Sequence, residues 1–182
     1  MQCREKLQEF LQQPHQQKAP ARACGRCHDF WGQVLLLPMR ILRTSGYFVG
    51  TIKEDITLRV CTIQGAVDFI FGGAQSIYEK CTISVLGEAL GEGISGIITA
   101  QGRDNPYDAS GFVFKDCKVV GSGTALLGRP WRAYARVVFY HTNLTSVVLP
   151  IGWDAWHFAG QENRVTFAEY GCYGLGQILR RG

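Results

Sequence analysis

Gly65-Ala66-Val67-Asp68-Phe69-Ile70-Phe71-Gly72 sets a single carboxylate in an almost continuous apolar run. Burying that charge without a partner costs several kcal/mol or more, so Asp68 either closes a turn with its side chain in water or meets a cation. About sixty residues on, Leu127-Gly128-Arg129-Pro130-Trp131 offers a guanidinium beside an exposed-type indole on a proline-stiffened turn. An arginine within hydrogen-bond reach would keep the aspartate ionised and fix its orientation. His15, His28 and His141 form no Ser/His/Asp arrangement, and His157 reads as a surface residue.

The elements that must position these groups follow from composition and repeats. With 182 residues, 46% of them hydrophobic and 19% charged, the chain is long enough for one domain with a real core. The net charge of +4 is no footprint of nucleic acid, because residues 1–60 carry nine Lys/Arg against five Asp/Glu while the rest carry ten against ten. No apolar run is long enough to span a membrane, and the start, MQCREKLQEF, is too polar for a signal peptide. Asn143-Leu144-Thr145 is a glycosylation sequon, meaningful only in a secreted protein. Seven cysteines leave at least one outside any intrachain pair.

Residues 1–50 form a segment of their own, Gln-rich and then Pro/Ala-rich, and are expected to be poorly ordered. Within it Cys24-Gly25-Arg26-Cys27-His28 fits the haem-attachment pattern, and CxxC alone can hold zinc or a redox pair. No helical frame with a second axial ligand follows, so the expectation is two incidental cysteines, with no cofactor and no metal. Beyond residue 50 lie 18 of the 22 glycines, and one run recurs. Ile56 to Ile63 is echoed from Ile77 to Ile83, from Val113 to Val119 and from Val138 to Leu144. The steps of 20, 36 and 25 residues between Cys61, Cys81, Cys117 and Thr142 suit solenoid coils with loops of varying size. A strand-only unit at that spacing predicts an all-β parallel β-helix over residues 51–176, with the Cys/Thr positions stacked as an internal ladder about 4.8 Å apart, and a tail at 177–182. Cys61 and Cys81 then neighbour each other, as a disulfide or as two stacked thiols. One short helix is expected at Phe167 to Tyr170, and Trp153 and Trp156 read as core.

The motif IQGAVDFIFG (residues 63–72), together with LGRPW, resembles the signatures of the pectinesterases, the carbohydrate esterases that demethylate pectin. The resemblance continues through ITAQGRDNPYDASGFVFKDC (98–117), RPWRAYARVVFYHTNL (129–144) and LPIGWDAWHFAGQENRVTFAEYGCYGLG (149–176), about two thirds of the chain. It implies a right-handed single-stranded parallel β-helix, here incomplete at its N-terminal end, and a secreted, cell-wall enzyme acting on methyl-esterified homogalacturonan without a cofactor. It implies Asp68 as nucleophile, Arg129 as the residue that orients it, and Arg129, Trp131 and Phe71 as substrate contacts. A proteinaceous pectinesterase inhibitor is a further implied partner.

The family's general acid, in a Gln-Asp-Thr-Leu motif one coil earlier, has only a loose counterpart in Glu54-Asp55-Ile56-Thr57-Leu58. Asp55 precedes Asp68 by thirteen residues, less than a coil. The expectation is therefore a truncated pectinesterase, inactive or slow, with a non-catalytic pectin- or inhibitor-binding β-helix fragment as the alternative reading.

Overall fold

A computed structural model describes residues 40–42 and 56–176. Five corners of the chain are built alike. Val60, Lys80, Asp116, His141 and Gly171 take left-handed backbone, with φ of 52°, 53°, 53°, 48° and 61°. Each is followed by an inward Cys61, Cys81, Cys117, Thr142 or Cys172, all buried. Left-handed backbone disfavours side chains with a Cβ, so a recurrent use of it needs a recurrent gain.

The hydrogen bonds supply that gain. Each corner thiol or hydroxyl donates to the carbonyl two residues back on its own strand: Cys61 to Arg59 at 3.2 Å, Cys81 to Glu79 at 3.5 Å, Cys117 to Lys115 at 3.4 Å, Thr142 to Tyr140 at 3.3 Å. From the second corner on they also reach the coil before, Cys81 to Leu58 O at 3.5 Å, Cys117 to Tyr78 O at 3.3 Å, Thr142 to Phe114 O at 3.3 Å and Cys172 to Phe139 O at 3.4 Å. Cys61 and Cys81 are thus thiols and not a disulfide. Their sulfurs are turned to backbone carbonyls of the stacked corners, which is the stacked-thiol alternative.

Between the corners run β1 (Arg40–Leu42), β2 (Ile56–Arg59), β3 (Thr62–Gly65), β4 (Val67–Gly72), β5 (Gln75–Glu79), β6 (Thr82–Leu86), β7 (Gly96–Gln101), β8 (Gly111–Lys115), β9 (Lys118–Ser122), β10 (Ala125–Pro130), β11 (Arg136–Tyr140), β12 (Asn143–Leu144) and β13 (Thr166–Tyr170). They stack into three sheets, in the orders β1-β3-β6-β9-β12, β10-β7-β4 and β13-β11-β8-β5-β2. All pairs are parallel except β1, which adds antiparallel to β3 with Arg40 opposite Gln64. The fold is a parallel β-helix. At the first sheet's N-terminal edge, β1 pairs with hydrogen-bonding groups that would otherwise template another chain.

The core is made of columns. Ile63, Ile83, Val119 and Leu144 align across β3, β6, β9 and β12. Tyr78, Phe114 and Phe139 stack with centroids 4.5 and 4.4 Å apart and ring planes within 8°. Trp153 closes this column, tilted on Phe139 at 6.0 Å and stacked on Phe167 at 4.4 Å. Burial pushes the Tyr78 hydroxyl well above its ordinary range. Outside, Arg59, Glu79 and Lys115 are in register on β2, β5 and β8. Glu79 bonds Arg59 and, at 3.1 Å, Lys115, which hold its carboxyl below the usual range.

The helix expected at Phe167 to Tyr170 is instead strand β13, in parallel register with β11 from Arg136 opposite Thr166 to Tyr140 opposite Tyr170. Gly171-Cys172 makes a fifth corner directly after it, so the segment must arrive extended. Cys24 to His28, Glu54, Asp55 and residues 177–182 lie outside the described residues. Of the segment 1–50, Arg40–Leu42 is described, as β1.

Candidate active site

The middle sheet, β4-β7-β10, holds Asp68 on its first strand and Arg129 on its last. Its register passes from Val67 opposite Ile97 to Ile70 opposite Thr99, so Asp68 and Phe69 together face the single residue Ile98. This is a β-bulge, a device that bends a strand and re-aims a side chain. Asp68 takes φ 48° there. Phe69 turns into the core at 5% exposure while the Asp68 side chain stays 28% exposed. The apolar run thereby keeps its burial and releases its one charge to the surface.

Arg129 reaches that carboxylate from two strands away. It aligns with Ala100 on β7, which aligns with Phe71 on β4. Two strand spacings amount to about 9.6 Å, a distance that calls for a long side chain over a small middle residue, and Ala100 supplies the small one. Arg129 Nε donates to Asp68 Oδ1 at 3.0 Å and Nη2 to Oδ2 at 2.5 Å. This two-point fork fixes the carboxylate plane as well as its position. Gly128, just before Arg129, lies so close to β7 that a Cβ would fall 1.9 Å from Thr99 Oγ1.

Trp131, 42% exposed, meets Phe71 edge to face at 5.9 Å and 73°. Its indole is seated on Gly102, where a Cβ would come within 2.9 Å of Cε3. The loop carrying it is tied to the end of β7. Trp131 N donates to Gln101 O at 3.1 Å, Tyr134 N to Arg103 O at 3.1 Å, and Arg136 N to the Gln101 side-chain oxygen at 2.8 Å. Arg103, 5% exposed, donates to the carbonyls of Pro106, Asp108 (2.9 Å) and Tyr134 (3.3 Å), joining two loops. Burial draws its pKa below the ordinary arginine value.

The structure therefore brings Asp68, Arg129, Phe71 and Trp131 onto one wall, and leaves Cys61 and Cys81 in the interior ladder. Ile56, directly after Asp55, begins a strand of the third sheet, whereas Asp68 belongs to the middle one. Trp153 is partly buried and packed against the core, its Nε1 donating to Glu169 Oε1 at 3.0 Å. Trp156 is not. It is 36% exposed and lies over Arg129, whose Cζ is 4.1 Å from the ring centroid. His157 is exposed against that ring, centroids 4.3 Å apart. Gly102, Arg103 and Trp156 are the residues of this wall that sequence reasoning missed. Gly102 and Arg103 follow Gln101 in the motif-bearing stretch, a signal that could have been used; Trp156 sits in a non-repeating loop that gives none. Among the described residues no group of three or more His, Cys, Asp or Glu could hold a metal ion.

Comparison with known proteins adds three findings. Residues 54–181 match the family model described as Pectinesterase. Two Arabidopsis thaliana proteins, probable pectinesterase 29 and probable pectinesterase 55, are 64% and 60% identical over 121 residues, covering 66% of this chain but 36% and 37% of their own length. The solved structure of pectin methylesterase from carrot superposes with a TM-score of 0.65 at 29% identity, over 76% of this chain and 46% of that one. The chain thus spans about a third of the length of the curated relatives it matches.

Proposed function

Because this chain belongs to the pectinesterase family, we propose that it hydrolyses methyl esters of pectin galacturonate, with Asp68 as the nucleophile and residues 51–176 as the unit that carries the site. The observation behind this reading is the two-point Arg129–Asp68 fork set on the same wall as Trp131 and Phe71. Arg129 occupies one lone pair of each carboxylate oxygen and fixes the orientation of the group, while the remaining lone pairs stay available for attack.

One Asp68 oxygen adds to the ester carbonyl carbon. The bond from that carbon to the methoxy oxygen then breaks, its electron pair staying on the departing oxygen, which takes a proton from water and leaves as methanol. The galacturonyl group is left as an acyl ester of Asp68, an anhydride, and water cleaves it to a free galacturonate carboxylate and the original aspartate. Trp131 and Phe71 bind the apolar faces of the sugar rings. A proteinaceous inhibitor would compete for the same wall, and the polymer substrate places the activity in the cell wall.

Among the described residues no second carboxylate is hydrogen-bonded to Asp68 or Arg129. General acid help is worth about 10²- to 10⁴-fold, so turnover by this chain is expected to be slow unless Asp55 or another group outside the described residues supplies the proton. The test is methanol release from highly esterified pectin by the full chain. The reading expects measurable release that disappears in Asp68→Asn; a cooperatively melting wild type that releases none would overturn it.

A further inference from the structure

We propose that Trp156 is a positioning residue for this site: its indole face holds the Arg129 guanidinium in the plane from which the guanidinium edge meets both Asp68 oxygens. This rests on the reading of Asp68 as nucleophile. A planar guanidinium has two kinds of surface, an edge of N–H donors and a flat face. The edge is committed to Asp68, and a fork alone leaves the two planes free to hinge about the line of their hydrogen bonds. The face lies 4.1 Å from the Trp156 centroid, within cation–π range, and that contact removes the hinge.

The backbone supports the same conclusion. Six non-glycine residues among those described have positive φ. Four of them, Val60, Lys80, Asp116 and His141, are the repeated corners. The other two are Asp68 at 48° and Trp156 at 45°, and these are the two whose side chains contact Arg129, one at its edge and one at its face. A bulky residue in left-handed backbone persists only where its surroundings enforce it. Trp156 N–H donates to Asp154 Oδ1 at 2.8 Å, and Asp154 N–H donates to Gly128 O at 3.1 Å. The turn bearing the indole is therefore fastened to the residue that immediately precedes Arg129. With one face on Arg129 and His157 also against the ring, Trp156 is placed to act on the arginine, whereas Trp131 stands at the groove for sugar.

The test uses Trp156→Leu and Trp156→Phe in the full chain. In Trp156→Leu, kcat on esterified pectin is expected to fall about tenfold with KM within about twofold, while Trp156→Phe, which keeps a ring face, stays within about threefold of wild type. Independently of turnover, the NMR signal of the Arg129 Nε proton is expected to lose its ring-current shift in Trp156→Leu and to exchange with water about tenfold faster. A cooperatively melting Trp156→Leu with that signal and exchange unchanged would overturn the proposal, as would a rise in KM with kcat intact, which would make Trp156 a sugar platform. If the leucine variant does not fold, the phenylalanine variant decides: retained protection of the Arg129 proton supports the proposal and its loss refutes it. A wild type that releases no methanol would sink the esterase reading, and the NMR result would still decide whether Trp156 sets the arginine.

Discussion

The stacked corners and the β4-β7-β10 wall use the same left-handed backbone to different ends. At the corners each strained residue is followed by an inward Cys or Thr whose donor is satisfied by carbonyls of its own and, in the later coils, the preceding coil. The cost recurs and so does the compensation, and the product is a column. On the wall, left-handed backbone is used once, at Asp68 inside a strand, and it turns a part-exposed carboxylate toward a single arginine two strands away. The column is locally redundant and the wall is not. Substitutions in the column should therefore change stability with the chemistry intact, and substitutions on the wall should do the reverse.

Arg129→Ala offers the largest effect. It strips both bonds from Asp68 and the cation from Trp156, and is expected to lower kcat by about 10²- to 10³-fold, with a thermal midpoint close to wild type. A variant that keeps its rate would break the contrast at the wall. Phe114→Ala tests the other side: removing the middle ring of the Tyr78–Phe114–Phe139 stack is expected to cost about 3–5 kcal/mol in denaturant melts. Methanol release by the fraction still folded should be unchanged.

How much of this contrast was legible in the sequence depends on repetition. Cys61, Cys81, Cys117 and Thr142 could be aligned because each coil restates the same corner, and the parallel β-helix follows from that alignment. The fifth corner at Cys172 escaped notice because a loop without coil periodicity separates it from Thr142 and because glycine stands at the strained position. From sequence alone Phe167 to Tyr170 consequently reads as helix. Asp68 and Arg129 stood out through local oddity, a lone charge in an apolar run and a guanidinium beside Pro-Trp. Trp156 had neither signal, since its contact with Arg129 exists only once the loop after Gly152 has folded back over β10. The Cys61–Cys81 alternative could not be decided by spacing, which fixes proximity and says nothing of where the sulfurs point.

Gly102→Ala sharpens the comparison at smaller scale. The added methyl would displace the Trp131 indole, so KM for pectin is expected to rise by about three- to tenfold with kcat less affected, read from initial rates. The smallest effect belongs to the outer ion row. The hydrogen bonds from Arg59 and then Lys115 lower the Glu79 pKa in the folded state below its ordinary value of 4.5. The stability it contributes is present above the unfolded-state pKa and is lost as pH falls through the lower folded-state pKa. Glu79→Gln should flatten that acid limb in thermal midpoints measured against pH, leaving midpoints near neutrality only slightly lowered.

The proposed reaction turns on a covalent bond to Asp68, and mass spectrometry of acid-quenched turnover on a methyl-esterified oligogalacturonide would detect it. The peptide containing Asp68 is expected to carry the galacturonyl acyl group, and the adduct to vanish in Asp68→Asn together with methanol release. Methanol accumulating from an Asp68→Asn chain at the wild-type rate, with no adduct on the wild-type peptide, would contradict the account.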